Sequence, residues 1–227
     1  MVVKTTRYVV SSVGAEYFLL HRGLKPLMSP DYYYTIERSA SAEFKDRGSK
    51  FIAYAFPITD VADFKKQLQG LKEEHPKAAH HCFAYRIGTD GNTFRSNDDG
   101  EPSGSAGKPI LGQIDSKQLT DLAIIVIRYF GGTLLGVPGL INAYKTVTAL
   151  ALQITPVIQK AIEIKYRLQF DYTRMNEVMM IVKKYNCTVL DQQLELFCRM
   201  DIGIPKSNHE LVVLKLKDII GLEMTKI

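Results

Sequence analysis

The loop from Ser96 to Gly112, SNDDGEPSGSAGKPILG, contains the residues best suited to chemistry. Four glycines, two prolines, three acids and a Gly-Lys pair occupy its seventeen positions. Glycine amides beside a lysine could bind a phosphate, and the carboxylates of Asp98, Asp99 and Glu101 could hold a hard cation. The remaining interpretation is a turn that serves the fold and shapes a contact surface.

Nucleotide hydrolysis does not fit the spacing of this loop. A Walker A loop requires G-x-x-x-x-G-K-[ST], but Pro102 stands at the first glycine position and Pro109 replaces the hydroxyl residue. The acids also lack the alternate spacing and closing glutamate of a calcium loop. The sequence therefore favours a structural role, in which Asp98 and Asp99 cap turns, over a metal site.

A third interpretation combines two helix starts. The amides that open a helix near Pro109, with Lys108 beside them, could contact an oxyanion or a phosphate. The segment FGGTLLGVPG leads to a second helix from about Pro138, and Arg128 and Tyr129 end the strand before it. If both loops lie at one end of a sheet, they form a surface that could meet RNA phosphates and bases. The alternative, in which these glycines serve only tight connections and close packing, remains open.

The histidines and cysteines give no clear site. His80, His81 and Cys82 lack further ligands at zinc spacing, and no activating base for a cysteine nucleophile is implied by the sequence. We therefore predict no metal, no cofactor and no catalytic residue. The cysteines Cys82, Cys187 and Cys198 are few and far apart, which is typical of a protein in a reducing cytoplasm.

Hydrophobic periodicity predicts the elements that hold these loops. Strands are predicted at 32–38, 50–58, 81–88, 122–130, 161–170 and 222–227, with two more between 187 and 200. Helices are predicted at 59–75, 108–115, 138–153, 173–186 and 207–219. The segment 39–49 is predicted to be a turn. Thr59 or Asp60 is expected to cap the first helix.

The order of these elements predicts two domains behind an N-terminal extension. We expect residues 1–30 to be an extension or a poorly ordered arm, 31–156 a first domain and 157–227 a second. The second domain has the β-α-β-β-α-β order of a ferredoxin-like sandwich. Apolar runs such as 122–127 are too short to cross a membrane.

The net charge of +5 is distributed unevenly. Residues 1–30 carry +3, residues 31–156 carry 0 and residues 157–227 carry +2. Because strong non-specific DNA binding requires many phosphates to be neutralised, the neutral first domain argues against it.

Two motifs resemble the paired signature of the IMPACT/YigZ family. They are DDGEPSGSAGKPIL and, further along, IIVIRYFGGTLLGVPGLINAY, while ERSASAEFKDRGSKFIAYAFPI resembles the family's opening strands; together the resemblance covers about residues 33–155. Pro138 stands where relatives often have glycine, and Asn142 where many have arginine. The signature includes or adjoins the candidate binding residues Asp98, Asp99, Glu101, Ser103, Gly104, Gly107, Lys108, Arg128, Tyr129, Gly131 and Gly132.

The resemblance implies an α+β protein. Its first domain would share the fold of elongation factor G domain IV and of the second domain of a small-subunit ribosomal protein. A small ferredoxin-like α/β sandwich, similar to elongation factor G domain V, would follow. Eukaryotic members act in translational control by binding the activator of a starvation-responsive kinase, but they carry an RWD domain that we do not expect here.

The function implied by the resemblance is that of a non-enzymatic, cytoplasmic, translation-associated regulator. It would bind RNA, the ribosome or a translation-regulatory protein through the glycine loops. Two alternatives stay open. One is a protein-interaction module in translational stress control without nucleic-acid binding, and the other is a metal-dependent hydrolase using Asp98, Asp99 and Glu101.

Overall fold

The computed structural model describes residues 31–227, so the predicted extension over residues 1–30 lies outside the described part. Within 31–227 the strands are β1 Tyr32–Ile36, β2 Ala40–Asp46, β3 Ser49–Pro57, β4 His80–Ile87, β5 Thr93–Asn97, β6 Leu122–Tyr129, β7 Val157–Ala161, β8 Glu163–Asp171, β9 Thr188–Gln193, β10 Phe197–Pro205 and β11 Glu223–Lys226. The helices are α1 Val61–Glu74, α2 Gly107–Ser116, α3 Gly136–Ile154, α4 Met175–Lys184 and α5 His209–Lys217. The protein is therefore a mixed α and β fold.

A five-stranded antiparallel sheet in the order β2-β3-β6-β4-β5 organises the first part of the chain. Its middle strand β6, LAIIVIRY, is buried through Arg128, as its nearly continuous apolar run predicts for a strand covered on both faces. Alternate residues of a strand point to opposite faces, so the sheet carries two cores. Helices α2 and α3 pack on one face, and α1 packs on the other through Phe64 and Leu71.

A second sheet, in the order β11-β8-β10-β9, is formed entirely by residues beyond 162. Helices α4 and α5 contribute to its core through residues that include Val178, Val182, Val212 and Leu216. The elements follow the predicted order β-α-β-β-α-β. The described residues contain no helix with both the length and the apolar character needed to span a membrane.

The predicted turn over 39–49 is wrong, because β2 occupies most of it. Strand β2 pairs with β3 from Ala40 opposite Ala55 to Asp46 opposite Ser49. The connection needs only two residues, and Arg47 and Gly48 both have positive φ, 44° and 80°. Such a conformation is favoured in tight hairpins because its twist matches that of the strands.

Strand β7 was also not predicted. It pairs in antiparallel register with β1, Tyr32 opposite Ala161, and the pair forms a separate two-stranded sheet. This strand is only five residues long and largely exposed. A segment so short, just after a Thr-Pro pair, shows too little hydrophobic periodicity to predict a strand. The predicted cap of α1 is confirmed, since the Asp60 carboxylate accepts a hydrogen bond from the Asp63 amide at 2.9 Å.

Candidate docking face at the glycine loops

The two glycine loops leave the same end of the five-stranded sheet. Strand β6 ends there, with Arg128 opposite His80 at the start of β4. Strand β5 ends beside them, with Asn97 opposite Phe83. The β2–β3 turn adjoins the same end, because Lys50 lies opposite Tyr129. We call the surface formed by loop 98–106, loop 130–135 and turn 46–49 the glycine-loop face.

Asp98 holds the first loop in shape. Its carboxylate accepts hydrogen bonds from the amides of Gly104 at 2.9 Å, Ala106 at 3.0 Å and Gly107 at 2.8 Å. These include the amides that open α2, so the anion at this helix start is the protein's own side chain. The interpretation in which the amides that open this helix contact a partner's oxyanion or phosphate is wrong, because Asp98 occupies those of Ala106 and Gly107. The amide of Gly104, another candidate binding residue, is occupied in the same way.

The pKa of Asp98 lies below its ordinary value. Partial burial acts to raise this pKa, but the hydrogen bonds from the three amides outweigh burial and lower it. Because the folded protein favours the ionised carboxylate, its contribution to stability is complete above the unfolded pKa. That contribution is lost as the pH falls through the lower folded pKa.

Replacing Asp98 with asparagine is expected to lower the free energy of unfolding by about 1–2 kcal/mol at neutral pH. The single amide oxygen of asparagine still accepts, but the NH2 group that replaces the other carboxylate oxygen cannot, and the charge that strengthens the hydrogen bonds is gone. The difference between the wild type and Asp98→Asn should shrink as the pH falls below about 4, the ordinary pKa of an aspartate, and it should be smallest below the lowered pKa of the folded protein. Urea unfolding at several pH values measures both effects; a pH-independent difference would contradict the role of the charge.

Asp99 joins the first loop to β4. It adopts a left-handed conformation with φ of 43°, and its carboxylate accepts a hydrogen bond from the His81 amide at 2.6 Å. A further hydrogen bond of 2.8 Å links its carbonyl oxygen with His80 Nδ1. Ser103 is exposed, whereas Ser105 is buried and its hydroxyl donates to the Pro102 carbonyl oxygen.

Arg128 is buried, so the expectation that it is an exposed cation on the docking surface is wrong. Only 5% of the residue is accessible. Its Nη1 donates to Glu101 Oε1 at 2.6 Å, and the same oxygen accepts from the Tyr144 hydroxyl at 2.7 Å. Phe51 and Phe130 cover the guanidinium, with ring centroids at 5.4 and 5.6 Å. Arg128 therefore supports the face from beneath.

Cys82 lies next to this buried pair. Its thiol sulfur is 3.3 Å from the Tyr144 hydroxyl oxygen and 3.0 Å from the Asp98 carbonyl oxygen. Burial raises the pKa of the Cys82 thiol and that of the Tyr144 hydroxyl far above their ordinary values. Because the thiolate is the reactive form of cysteine, Cys82 is an inert core residue at neutral pH.

Tyr129 lies on the opposite side of the sheet from Arg128. Its hydroxyl is hydrogen bonded to His75 Nδ1 at 2.9 Å, and Tyr54 binds His75 Nε2 at the same distance. The grouping of Arg128 and Tyr129 on one surface is therefore wrong, because neighbouring strand residues face opposite ways. Sequence reasoning missed His75 and Tyr54, which no local spacing connects with Tyr129.

The glycines have distinct roles. Gly131 packs so closely on the β2–β3 turn that a Cβ there would overlap the backbone of Gly48 and Ser49. The Gly131 amide also donates to the Ser49 hydroxyl at 3.2 Å. Gly132 has a φ of 84° and open space around it, and Gly107 packs on the backbone of Asn97. Close packing therefore explains Gly107 and Gly131.

The second loop and the start of α3 expose several large apolar side chains. The exposed fractions are 51% for Phe130, 81% for Leu134, 45% for Val137 and 38% for Ile141. None of the four was among the predicted binding residues, although large apolar residues in and beside a glycine-rich loop are a signal in themselves. Lys108 at the start of α2 is exposed.

Comparison with known proteins identifies the family. Residues 47–152 match the Impact N-terminal domain. An IMPACT family member of Haemophilus influenzae is 33% identical over 180 residues, which cover 78% of this chain and 87% of that protein. The chain belongs to the IMPACT family. The IMPACT family member YigZ of Escherichia coli is 30% identical over 172 residues, covering 75% of this chain and 84% of that protein.

A solved structure shares the fold of most of this chain. The crystal structure of a hypothetical protein superposes with a TM-score of 0.69 at 26% sequence identity, covering 87% of this chain and 98% of that one. Both glycine loops lie within the residues that match the Impact N-terminal domain. The glycine-loop face is therefore built from the part of the chain that the IMPACT family profile describes.

Proposed function

We propose that the protein is a non-enzymatic, translation-associated regulator that docks a component of the translation machinery through the glycine-loop face. Membership of the IMPACT family supports the translational setting, which the family resemblance implies. The observation that carries the docking role is the exposure of four large apolar side chains, Phe130 and Leu134 in the second loop and Val137 and Ile141 at the start of the adjoining α3. Large apolar side chains grouped on a surface mark contact sites.

The exposed chemistry favours a protein partner over RNA. RNA backbone binding relies on several cations that neutralise phosphates, but Arg128 is buried on Glu101. Asn142, on the exposed side of α3, carries no charge. Apolar and aromatic side chains are instead typical of the core of a protein interface. A ribosomal protein or a translation factor therefore fits this surface.

RNA is the second candidate because of three residues. Phe130 is half exposed and could stack a base, while Lys108 and Arg47 are exposed and could contact phosphates. Nuclease treatment distinguishes the candidates, since an interaction bridged by RNA is lost when the RNA is digested.

A hydrolase using the acidic loop is not favoured by the geometry. The carboxylate of Asp98 is occupied by three amides, and that of Glu101 by Arg128 and Tyr144. Asp99 binds the His81 amide. Within residues 31–227 no group of three or more His, Cys, Asp or Glu side chains is placed to hold a metal ion.

The proposal extends to the domains and the compartment. We infer that the second sheet with α4 and α5 is a ferredoxin-like sandwich, since its strand order and element order fit that fold. We retain the division near residue 156 and the elongation factor G-like first domain as proposals. A cytoplasmic location is inferred from the translational role, and the free thiols of Cys82, Cys187 and Cys198 fit it.

Leu134→Asp is expected to reduce recovery of translation components by about tenfold or more in a pull-down from nuclease-treated lysate. Leu134 is 81% exposed, so the variant should fold normally. Leu196→Asp is the matched control, because Leu196 is 73% exposed and lies outside the glycine-loop face. Equal recovery by Leu134→Asp and the wild type would reject the face, and loss of binding on nuclease treatment would favour RNA.

A further inference from the structure

A groove of about 420 Å³ lies on the helical side of the second sheet. It is lined by Met180, Ile181, Lys184 and Tyr185, from α4 and the residue after it, and by Lys215 of α5. Met180 is 70% exposed. We call these five residues the helix groove.

Ile181 and Tyr185 pack partly against the core of this sheet, whereas Met180 is left largely exposed. That core is formed by other residues of the same helices, among them Val178, Val182, Val212 and Leu216, each 3% exposed or less. A helix that packs on a sheet is expected to be polar on its outer side. Met180 departs from that pattern, and so do Leu211 and Leu214 of α5, which are 46% and 61% exposed.

The groove is positively charged. Its lining contains Lys184 and Lys215 and no acid. Within residues 31–227 neither lysine forms an ion pair, and Lys184 Nζ lies 5.7 Å from the centre of the Tyr185 ring. The acids of the two helices, Glu177 and Glu210, lie in their first turns, and Glu177 is paired with Arg174 at 2.9 Å.

We propose that the helix groove binds an acidic amphipathic helix of a partner protein. An apolar stripe on such a helix, with residues three and four positions apart, would pack against Met180 and Ile181. The unbranched thioether of methionine adapts to varied apolar surfaces. Acidic residues beside the stripe would meet Lys184 and Lys215, so charge complementarity selects the partner. This site is separate from the glycine-loop face and does not depend on the function proposed for it.

The test uses the full chain and a designed helical peptide of about 18 residues, with leucine along one face and glutamate elsewhere. Isothermal titration calorimetry measures affinity, and amide shifts in two-dimensional NMR locate the site. Two further peptides serve as probes, one with lysine in place of glutamate and one with serine in place of leucine. The acidic amphipathic peptide should bind and shift amides of α4 and α5, whereas the other two should not.

Lys184→Glu combined with Lys215→Glu should weaken binding of the acidic peptide by about tenfold or more, because two attractions become repulsions. Lys183→Glu combined with Lys217→Glu is the matched control, since it makes the same charge change on the same helices outside the lining. Met180→Asp should also weaken binding while leaving the circular dichroism spectrum unchanged. Three results would each overturn the proposal: equal losses in the two lysine pairs, unchanged affinity in the groove variants, or amide shifts confined to residues away from α4, Tyr185 and α5.

Discussion

Arg128→Met is expected to lower the free energy of unfolding by about 3–5 kcal/mol. The change removes the cation that neutralises Glu101, whose side chain is only 3% exposed. A hydrogen bond from the Tyr144 hydroxyl would remain, and His80 Nε2 lies 3.9 Å from Glu101 Oε1, but the buried carboxylate would lose its arginine counter-charge. Methionine is about as long as the aliphatic part of arginine, so the substitution leaves little empty space. The loss of stability would therefore come mainly from the missing charge.

Two further variants test whether the loss of stability comes from the buried ion pair of Arg128 and Glu101. Lys108→Met removes an exposed cation near the same loop and should change stability by less than about 0.5 kcal/mol. Adding Glu101→Gln to Arg128→Met removes the second charge and should recover part of the loss. Urea unfolding followed by circular dichroism measures all three proteins. An unfolding midpoint for Arg128→Met equal to that of the wild type would show that the pair is not buried.

Gly131→Ala is expected to lower the free energy of unfolding by about 3 kcal/mol or more. The added methyl group would overlap the backbone of Gly48 and Ser49, where no flexible side chain can move aside. Gly131 is not among the glycines with positive φ, so the cost would arise from packing and not from torsional strain. The second loop would have to separate from the β2–β3 turn.

Gly112→Ala is the matched control for this substitution. Gly112 lies inside α2 with no atom near the added methyl group, and alanine favours a helix over glycine by about 0.5–1 kcal/mol. This variant should therefore be slightly more stable than the wild type. Thermal unfolding compares the two alanine variants, and equal stabilities would contradict the close packing of loop 130–135 on turn 46–49.

The elements with strong periodicity could be predicted from the sequence. Helix α1 repeats apolar residues at three and four positions, and β6 is apolar almost throughout. Strand β2 was harder because it consists largely of small and charged residues, although its alternating burial at Ala42 and Phe44 matches a strand. Strand β7 depends on its partner β1, more than 100 residues away in the chain, so no local pattern indicates it.

The site could be predicted only in outline. The two loops could be recognised, but the partner of each side chain depends on contacts between distant residues. Glu101 meets Arg128 across 27 positions and Tyr144 across 43. The opposite orientation of Arg128 and Tyr129 could have been derived from the two-residue period of a strand. That period alone assigns the two side chains to different surfaces, so only one of them could belong to an RNA contact at the loops.

Site-specific photo-crosslinking in living cells tests most directly whether the glycine-loop face docks a protein of the translation machinery. A photoreactive phenylalanine analogue replaces Leu134 in one sample and Leu196 in the other, since both are highly exposed. Mass spectrometry identifies the crosslinked partners. The proposed function predicts a ribosomal protein or translation factor crosslinked from position 134 and absent from position 196. RNA as the main adduct at 134, or the same partners at both positions, would contradict it.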